Sequence, residues 1–213
     1  MQLLTTQLEQ MNSAWASVVQ RLGAYTLALP GCATFICQPE TCDAHCCRAF
    51  SVNLGEQEVA RMQAASGRQP VTFLESEDGK PITLPMAQPY LLKRAENHCA
   101  QLSPNLTCGE YEGRPNACRL YPHFVIFVDE QTGRPVSGDP SGMLRSIQPL
   151  LTGRPFHPYV PLLVRHIECP GFTGPPMDET AWRTLFAETA RLQSEFWPAA
   201  DEQRGVARTR DPI

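Results

Sequence analysis

The sequence predicts an α+β fold: a single metal-stapled, loop-rich domain with amphipathic N- and C-terminal helices and a small β-hairpin. Three observations lead to this: helical apolar patterns near both ends, short turn-bounded strands between them, and nine cysteines concentrated in the middle. A chain of 213 residues with 42% hydrophobic content can also bury a real core. We expect an N-terminal helix in residues 1–31, a metal-binding region in 32–172, and a C-terminal helix and tail in 173–213.

The first element is an amphipathic helix. Apolar residues recur at steps of three and four at Leu4, Leu8, Met11, Trp15, Val18 and Leu22. This period predicts a helix over residues 2–29, ended by Pro30 and Gly31. The apolar stripe either packs on its own domain or, because an a/d stripe is narrow, forms the seam of a homodimer.

Three short elements follow the first cysteines. Residues 48–54 alternate in polarity and predict a strand, and GEQEVARMQAAS predicts a helix that ends at Gly67. Asp78 and Gly79 lie between two apolar runs, which is a strong hairpin signal. We therefore expect a strand, a helix and a hairpin in this order.

The later elements are less regular. Residues 91–97 suggest a helical turn that delivers Cys99, and HFVIFVD at 123–129 predicts a strand. Among the many prolines and glycines of 135–176, the ordered pieces are expected at 143–151 and 159–167.

The last element is a second amphipathic helix. Asp178 suits the N-cap position, and Glu179 is favourable in the first turn. The apolar face consists of Trp182, Leu185, Phe186, Leu192 and Phe196. Pro198 is expected to end the helix.

Eight of the nine cysteines fall in three blocks, and Cys32 is the ninth. The blocks contain Cys37, Cys42, Cys46 and Cys47, then Cys99, Cys108 and Cys118, and finally Cys169. Four thiolates suffice for a tetrahedral zinc ion or a 4Fe-4S iron-sulfur cluster, so eight would fill two such sites, or one site beside a reactive pair. The spacing of the first block, C-x4-C-x3-C-C, does not name the metal.

Cys46 and Cys47 are adjacent in the chain. In an extended backbone their side chains would point to opposite faces, and they could serve two different centres, or one could be a ligand and the other a free thiol. His45 and His98 are further candidate ligands, with outer hydrogen-bonding or solvent-facing positions as the alternative.

Three arginines lie next to cysteines in the sequence, namely Arg48, Arg114 and Arg119. Their guanidinium groups can lower the pKa of the thiols, or they can form surface ion pairs of little energetic value.

Composition excludes several classes of function. A net charge of −4 and a pI near 5.7 argue against binding to nucleic acid, which needs a surplus of lysine and arginine. No apolar run is long enough to span a membrane, and no secretory signal is evident, so we expect a cytoplasmic protein with reduced thiols. Motifs of phosphate-binding loops and serine hydrolases are missing as well.

Three stretches carry a resemblance to a known family. Cys46 and Cys47 precede LGEQEVARM, CGEYEGRPNACRLYP follows downstream, and ECPG contains the last cysteine. Together they resemble the YkgJ-type cysteine cluster family, the CxxCxxCC zinc- or iron-chelating domain, over residues 35 to about 172. The resemblance implies a bacterial metal-binding protein that uses all eight block cysteines as ligands, whereas Cys32 has no counterpart.

The first block is also similar to a second family. FICQPETCDAHCC resembles the FxC…CxDxCC stretch of flagellin lysine N-methylases, which are associated with an iron-sulfur cluster and S-adenosylmethionine. Our main hypothesis is therefore a protein that binds an iron-sulfur cluster or zinc, with a protein partner as a further expectation. The alternatives are an iron-sulfur-dependent protein-modifying enzyme and a thiol-redox or metal-trafficking protein.

Overall fold

The structure is a computed structural model that describes residues 5–136 and 139–194, and its helices and small antiparallel sheets confirm the α+β class. The helices are α1 (Thr5–Val18), α2 (Pro39–Cys42), α3 (His45–Ala49), α4 (Glu56–Ser66), α5 (Asn116–Leu120), α6 (Pro140–Arg145), α7 (Gln148–Thr152) and α8 (Glu179–Ser194). The strands are β1 (Tyr25–Leu27), β2 (Asn53–Leu54), β3 (Ser76–Glu77), β4 (Lys80–Pro81), β5 (Tyr90–Leu91), β6 (Arg94–Ala95), β7 (His98–Cys99), β8 (His123–Asp129) and β9 (Tyr159–His166).

The described residues group into two compact units, a division that the sequence did not indicate. The sheet unit contains the described residues up to Cys32, those from His123 to Ile167 and those from Pro176 to Ser194. The cysteine unit contains residues 33–122 and 168–175, and hence all eight block cysteines. The boundaries at residues 31 and 172 that we expected from the sequence stay a prediction.

The sheet unit is built on an antiparallel sheet with the strand order β1-β9-β8. Tyr25 pairs with His166 on one side of β9, and His123 pairs with Arg165 on the other. The central strand reads YVPLLVRH and is buried over most of its length, as expected for a strand covered on both faces. Helix α1 packs against β9, and α8 packs against β8. The predicted strand at 123–129 is confirmed.

Helix α1 is shorter than expected. It ends at Val18, a 3-10 turn follows, and β1 then pairs with β9, so the prediction of a helix as far as residue 29 is wrong. Gly23 interrupts the helical pattern, and pairing with a distant strand overrides local helix propensity. Met11 and Val18 of the apolar stripe are fully buried in the core of their own unit. The homodimer seam stays a prediction, and residues 2–4 lie outside the described residues.

Helix α8 begins as expected. The carboxylate of Asp178 accepts a hydrogen bond of 2.8 Å from the Ala181 N–H, which confirms the N-cap. Trp182 is fully buried, and its indole N–H donates to the Ala28 carbonyl at 2.8 Å. Gln193 is also buried, where its side-chain amide bonds to both main-chain groups of Val125. Phe196 and Pro198 lie outside the described residues.

Acid should destabilise the sheet unit through His123. Burial, and then the charge of Arg165 opposite it on β9, lower the pKa of His123 to about 4, whereas an ordinary histidine titrates near 6.5. Between these pH values the unfolded chain binds a proton that the folded chain excludes. The free energy of unfolding therefore decreases as the pH is lowered, by up to about 3 kcal/mol. Urea unfolding at a series of pH values should show this loss, and His123→Gln should flatten it. An unchanged pH dependence in the variant would contradict this assignment.

The cysteine unit has a small apolar centre around α4. The helix ends at Gly67, which has a left-handed φ of 66°, and this confirms the predicted stop. The β3–β4 hairpin turns at Asp78 and Gly79, with φ of 50° and 73°, and confirms the second prediction. The buried apolar side chains that pack together in this centre belong to Leu54, Val59, Met62, Phe73, Leu74 and Leu92.

Two local predictions in this unit are wrong. Residues 48–54 contain the end of α3 and only a two-residue strand, β2, which pairs with β5. Residues 91–97 form no helical turn, because β6 and β7 make a tight hairpin around Glu96, whose φ is 53°. In both places the backbone hydrogen bonds go to a partner strand, which short-range patterns do not indicate.

Two further sequence expectations are met. The pieces expected at 143–151 and 159–167 correspond to parts of α6 and α7 and to β9. Across the described ranges, no helix combines the length and apolar character that a membrane crossing requires.

Candidate metal centre

The first cysteine block folds as two short helices. Pro39 begins α2, which ends at Cys42, and Asp43 and Ala44 then adopt left-handed φ values of 49° and 51° before α3 starts. This reversal turns the chain between Cys42 and the cysteine pair of α3. The extended backbone that we considered for Cys46 and Cys47 is therefore wrong. Adjacent residues on a helix are separated by about 100° around its axis, so the two side chains still leave in different directions.

The segment that carries Cys169 runs beside the start of the first block. The Ile36 N–H donates to the Gly171 carbonyl at 2.7 Å, and the Gly174 N–H donates to the Thr34 carbonyl at 3.1 Å. These backbone bonds place the third block against the first, although more than a hundred residues of chain separate them.

His45 also contributes to the contact between the first and third cysteine blocks. Its Nε2 lies 3.0 Å from a carboxylate oxygen of Glu168, the residue before Cys169, and its ring meets Phe50 edge-on. The pair links α3 to the third block. The other candidate histidine, His98, lies in the β6–β7 hairpin with Nδ1 3.4 Å from the Asn97 side-chain oxygen. A ligand role for either histidine stays a prediction.

Gly171 permits the close approach of the first and third cysteine blocks, and we expect Gly171→Ala to weaken their packing. A Cβ at Gly171 would lie 2.6 Å from a Phe35 ring carbon and 2.7 Å from the Ile36 carbonyl oxygen. Such crowding should cost about 1–3 kcal/mol of unfolding free energy and raise the maleimide reactivity of Cys169. Gly23→Ala is the matched control, because a Cβ there meets nothing within 4 Å. Equal stability of the two variants would contradict the tight packing.

Cys99 is presented by the β6–β7 hairpin, which Arg94 fastens to α3. The guanidinium group donates to the carbonyls of Arg48 at 2.7 Å, Phe50 at 2.6 Å and Asn97 at 2.8 Å. A single side chain thus fixes the hairpin to the end of the helix that bears the cysteine pair.

Cys108 lies in a loop that folds back on the strand end after Cys99. The backbone of Leu102 bridges to that of Cys108, and the Gly109 N–H donates to the Gln101 carbonyl at 2.7 Å. Arg68 then donates to the Gln101 side chain at 2.6 Å and to Glu110 at 2.9 Å.

Cys118 lies on α5, whose first residue is held by α4. The buried Glu58 carboxylate accepts a hydrogen bond of 2.7 Å from the Asn116 N–H, and Arg61 donates to the Asn116 side chain at 2.7 Å. Glu58 also accepts from the Gly55 N–H at 3.0 Å. Glu58 and Arg61 are positioning residues that the sequence did not predict. A glutamate at the third position of a helix indicates a cap, and nothing local indicates the contact with Asn116.

The thiols lie close enough to raise one another's pKa values. Burial, followed by the neighbouring Cys99 and Cys108, raises the pKa of Cys118 to about 12. Burial also raises the pKa of Cys37, and charges on Cys46 and Cys42 add to the effect. This repulsion opposes ionisation of the gathered thiols, and a bound cation would offset it.

Cys46 differs from the other thiols. The Cys47 thiol donates a hydrogen bond to Cys46 Sγ, and this bond is the main cause that lowers the pKa of Cys46 to about 6. The same bond raises the pKa of Cys47 well above its ordinary range, because ionising Cys47 would remove it.

Main-chain donors also point at the sulfurs. The Gln101 N–H lies 3.4 Å from Cys99 Sγ, and the Gly171 N–H lowers the pKa of Cys169 against the effect of burial. Hydrogen bonds of this type stabilise thiolates in metal centres and tune their reduction potentials.

Of the neighbouring arginines, Arg114 acts on the thiols, and Arg48 forms an ion pair with Asp43. The charge of Arg114 lowers the pKa values of Cys37 and Cys118 against the effect of burial. Arg48 pairs with Asp43, bonding its carbonyl at 2.8 Å and its carboxylate at 3.1 Å, which is the ion-pair alternative.

The donor set fits a thiophilic metal. All nine cysteines are free thiols, and the eight block cysteines belong to one unit. Within residues 5–136 and 139–194, no three histidine, cysteine, aspartate or glutamate side chains are arranged as the ligands of one ion. Binding of a metal would therefore require the thiol side chains to rearrange. Soft sulfur donors and repulsion that a cation would offset suit zinc or iron.

Comparison with known families agrees with this chemistry. Residues 36–137 match the model of the CxxCxxCC family, described as "Putative zinc- or iron-chelating domain". The chain carries a CxxCxxCC domain. The matched range of this domain contains seven of the block cysteines, and Cys169 lies beyond it. No curated protein and no solved structure matches the chain.

Proposed function

We propose that the protein binds an iron-sulfur cluster or zinc through the eight block cysteines of its CxxCxxCC domain. The ligands would be Cys37, Cys42, Cys46, Cys47, Cys99, Cys108, Cys118 and Cys169. The observation that carries the proposal is that the Ile36–Gly171 backbone bond holds the third block beside the first, and that α3 packs against β7, which bears Cys99. In agreement with this geometry, thiols from all three blocks raise one another's pKa values. A bound cation would replace this repulsion by attraction.

The residues around the thiols have roles that fit metal binding. Arg114 offsets thiolate charge at Cys37 and Cys118, and Arg94 does so at Cys99. Free thiols in this number require a reducing compartment, which supports a cytoplasmic location, and the family resemblance implies a bacterial protein. A zinc ion would provide a structural crosslink, and an iron-sulfur cluster would provide electron transfer.

Metal analysis of protein purified without oxygen tests the proposal. Iron with inorganic sulfide and a broad visible charge-transfer absorption would identify a cluster, and colourless protein with stoichiometric zinc would identify a zinc site. Protein that contains neither metal, and takes up neither zinc nor iron when reduced, would overturn the proposal. Cys32→Ser is the matched control, because Cys32 belongs to the sheet unit and should not affect metal content.

The enzymatic alternative implied by the lysine N-methylase resemblance stays a prediction, as does a thiol-redox or metal-trafficking role. Calorimetric titration of the metal-loaded protein with S-adenosylmethionine tests the enzymatic alternative directly.

A further inference from the structure

We propose that Arg68 is a positioning residue for the metal centre and acts on two of the proposed ligands, Cys99 and Cys108, through other side chains. Arg68 holds the thiol loop, which we define as residues 99–110, at the end of helix α4. The inference rests on the proposed metal-binding function. Arg68 lies outside the three sequence stretches that carry the family resemblance, so that resemblance assigns it no role.

The thiol loop is closed by its own main chain around the two cysteines. The Gly109 N–H donates to the Gln101 carbonyl at 2.7 Å, and Leu102 forms an antiparallel bridge with Cys108. Each of these contacts joins a residue shortly after Cys99 either to Cys108 or to the residue that follows it. A displacement of Gln101 would therefore move the backbone next to both cysteines.

Gln101 also contacts the sulfur of Cys99. Its main-chain N–H lies 3.4 Å from Cys99 Sγ, so the same residue bonds to one cysteine and to the neighbour of the other. Gln101 is only 8% exposed. Buried polar atoms require a hydrogen-bonding partner, so the side-chain oxygen of Gln101 depends on a donor within the protein.

Arg68 supplies this donor and makes a second contact beyond Cys108. Its Nη2 donates to Gln101 Oε1 at 2.6 Å and to Glu110 Oε2 at 2.9 Å. The side chain of Glu110 is only 12% exposed, so solvent screens this ion pair less than a pair on the open surface. A single nitrogen of Arg68 thus joins the residues that lie two positions after each cysteine of the thiol loop.

The end of helix α4 directs Arg68 towards the thiol loop. Gly67 ends the helix with a left-handed φ of 66°, and the Arg68 N–H then donates to the Ser66 hydroxyl oxygen at 3.2 Å. The chain just after the loop packs on the same helix, because a Cβ at Gly113 would lie only 2.9 Å from the Ala65 Cβ. The loop is therefore held by α4 through a side chain and rests on α4 where it ends.

Retention of metal in variants of Arg68 tests this role. Hydrogen-bonding partners one step removed from a metal typically contribute 10–100-fold to its affinity. We expect Arg68→Met, which removes the donor and the charge, to weaken retention of the bound metal against a chelator by about this factor. Arg68→Lys should restore most of the retention, because one nitrogen makes both contacts and an ammonium group can replace it. Arg191→Met is the matched control, since Arg191 is an exposed arginine of the sheet unit that bonds to Glu188.

Hydrogen exchange resolved to single amides measures the positioning itself, in purified protein with or without metal. In Arg68→Met the Gln101 and Gly109 amides should lose protection, whereas those of α5 should keep it, because Glu58 holds that helix independently. An equal loss across the cysteine unit would reduce Arg68 to a general structural role and overturn the proposal. Unchanged protection of Gln101 and Gly109 would overturn it as well, and so would a lysine variant that retains metal no better than the methionine variant.

The unaltered protein covers the case of variants that fail to fold. Its Gly109 amide should exchange at a rate similar to that of the Val59 amide in α4, as expected when the loop and the helix open together. Much faster exchange at Gly109 would overturn the proposal. If the protein binds no metal, the proposed function fails, whereas bound metal that Arg68→Met retains as well as the unaltered protein overturns only the role of Arg68.

Discussion

Removal of the bound metal is expected to unfold the cysteine unit. Six buried apolar side chains form its described core, whereas eighteen form that of the sheet unit, and its strands are only two residues long. A core of this size offers little to offset the conformational entropy of the 98 residues in residues 33–122 and 168–175. Structural metal supplies on the order of 10 kcal/mol or more of folding free energy in small metal-binding modules. We therefore expect the cysteine unit to unfold when the metal is removed.

Hydrogen exchange and circular dichroism measure this effect. Amides of α4 and of the β6–β7 hairpin should lose their protection when a chelator is added, together with part of the far-ultraviolet signal. The same chelator, saturated with zinc beforehand, is the control and should change nothing. Unchanged exchange in the cysteine unit after complete metal removal would show that the metal has no structural role.

Local signals account for the elements that could be predicted from the sequence. Helix α4 has a glutamate in its third position and a glycine at its end, the hairpin has Asp78 and Gly79 at its turn, and α8 has Asp178 as its cap. Two of the wrong predictions, the long N-terminal helix and the helical turn at 91–97, share one cause. Strand β1 and the β6–β7 hairpin exist because their backbones find partners, and β1 pairs with a strand far away in the sequence.

In the candidate site, too, local features could be predicted from the sequence and long-range contacts could not. The thiol chemistry is visible in the sequence because eight cysteines in three blocks are too many for packing alone. The neighbours of each thiol depend on long-range contacts such as that between Ile36 and Gly171, which no spacing indicates. The contacts of the polar residues in LGEQEVARM could not be predicted either, because Glu58 and Arg61 form hydrogen bonds with Asn116, far downstream in the sequence.

Glu58→Ala is expected to cost about 3–5 kcal/mol of unfolding free energy, because the substitution removes one partner of a buried charged network. Glu58 is only 5% exposed, and its two carboxylate oxygens accept from the Asn116 and Gly55 N–H groups. Without the carboxylate, the Asn116 N–H loses this buried acceptor, and Arg61 loses the countercharge at 3.8 Å. Urea unfolding of the metal-loaded protein measures the loss.

Two variants of the same helix sharpen this experiment. Glu58→Gln keeps one oxygen acceptor and should cost less than the alanine. Glu56→Ala removes an exposed carboxylate that accepts from the Tyr90 hydroxyl, and we expect it to cost about 1 kcal/mol or less.

The Glu58 network should also affect the metal, because it fixes the first residue of α5 two positions before Cys118. Glu58→Ala should therefore release metal to a chelator faster than Glu56→Ala does. If Glu58→Ala loses stability but releases metal at the rate of the unaltered protein, the network stabilises the fold without positioning the thiol. If the two alanine variants are equally stable, Glu58 is not the buried anchor of α5 that its hydrogen bonds indicate.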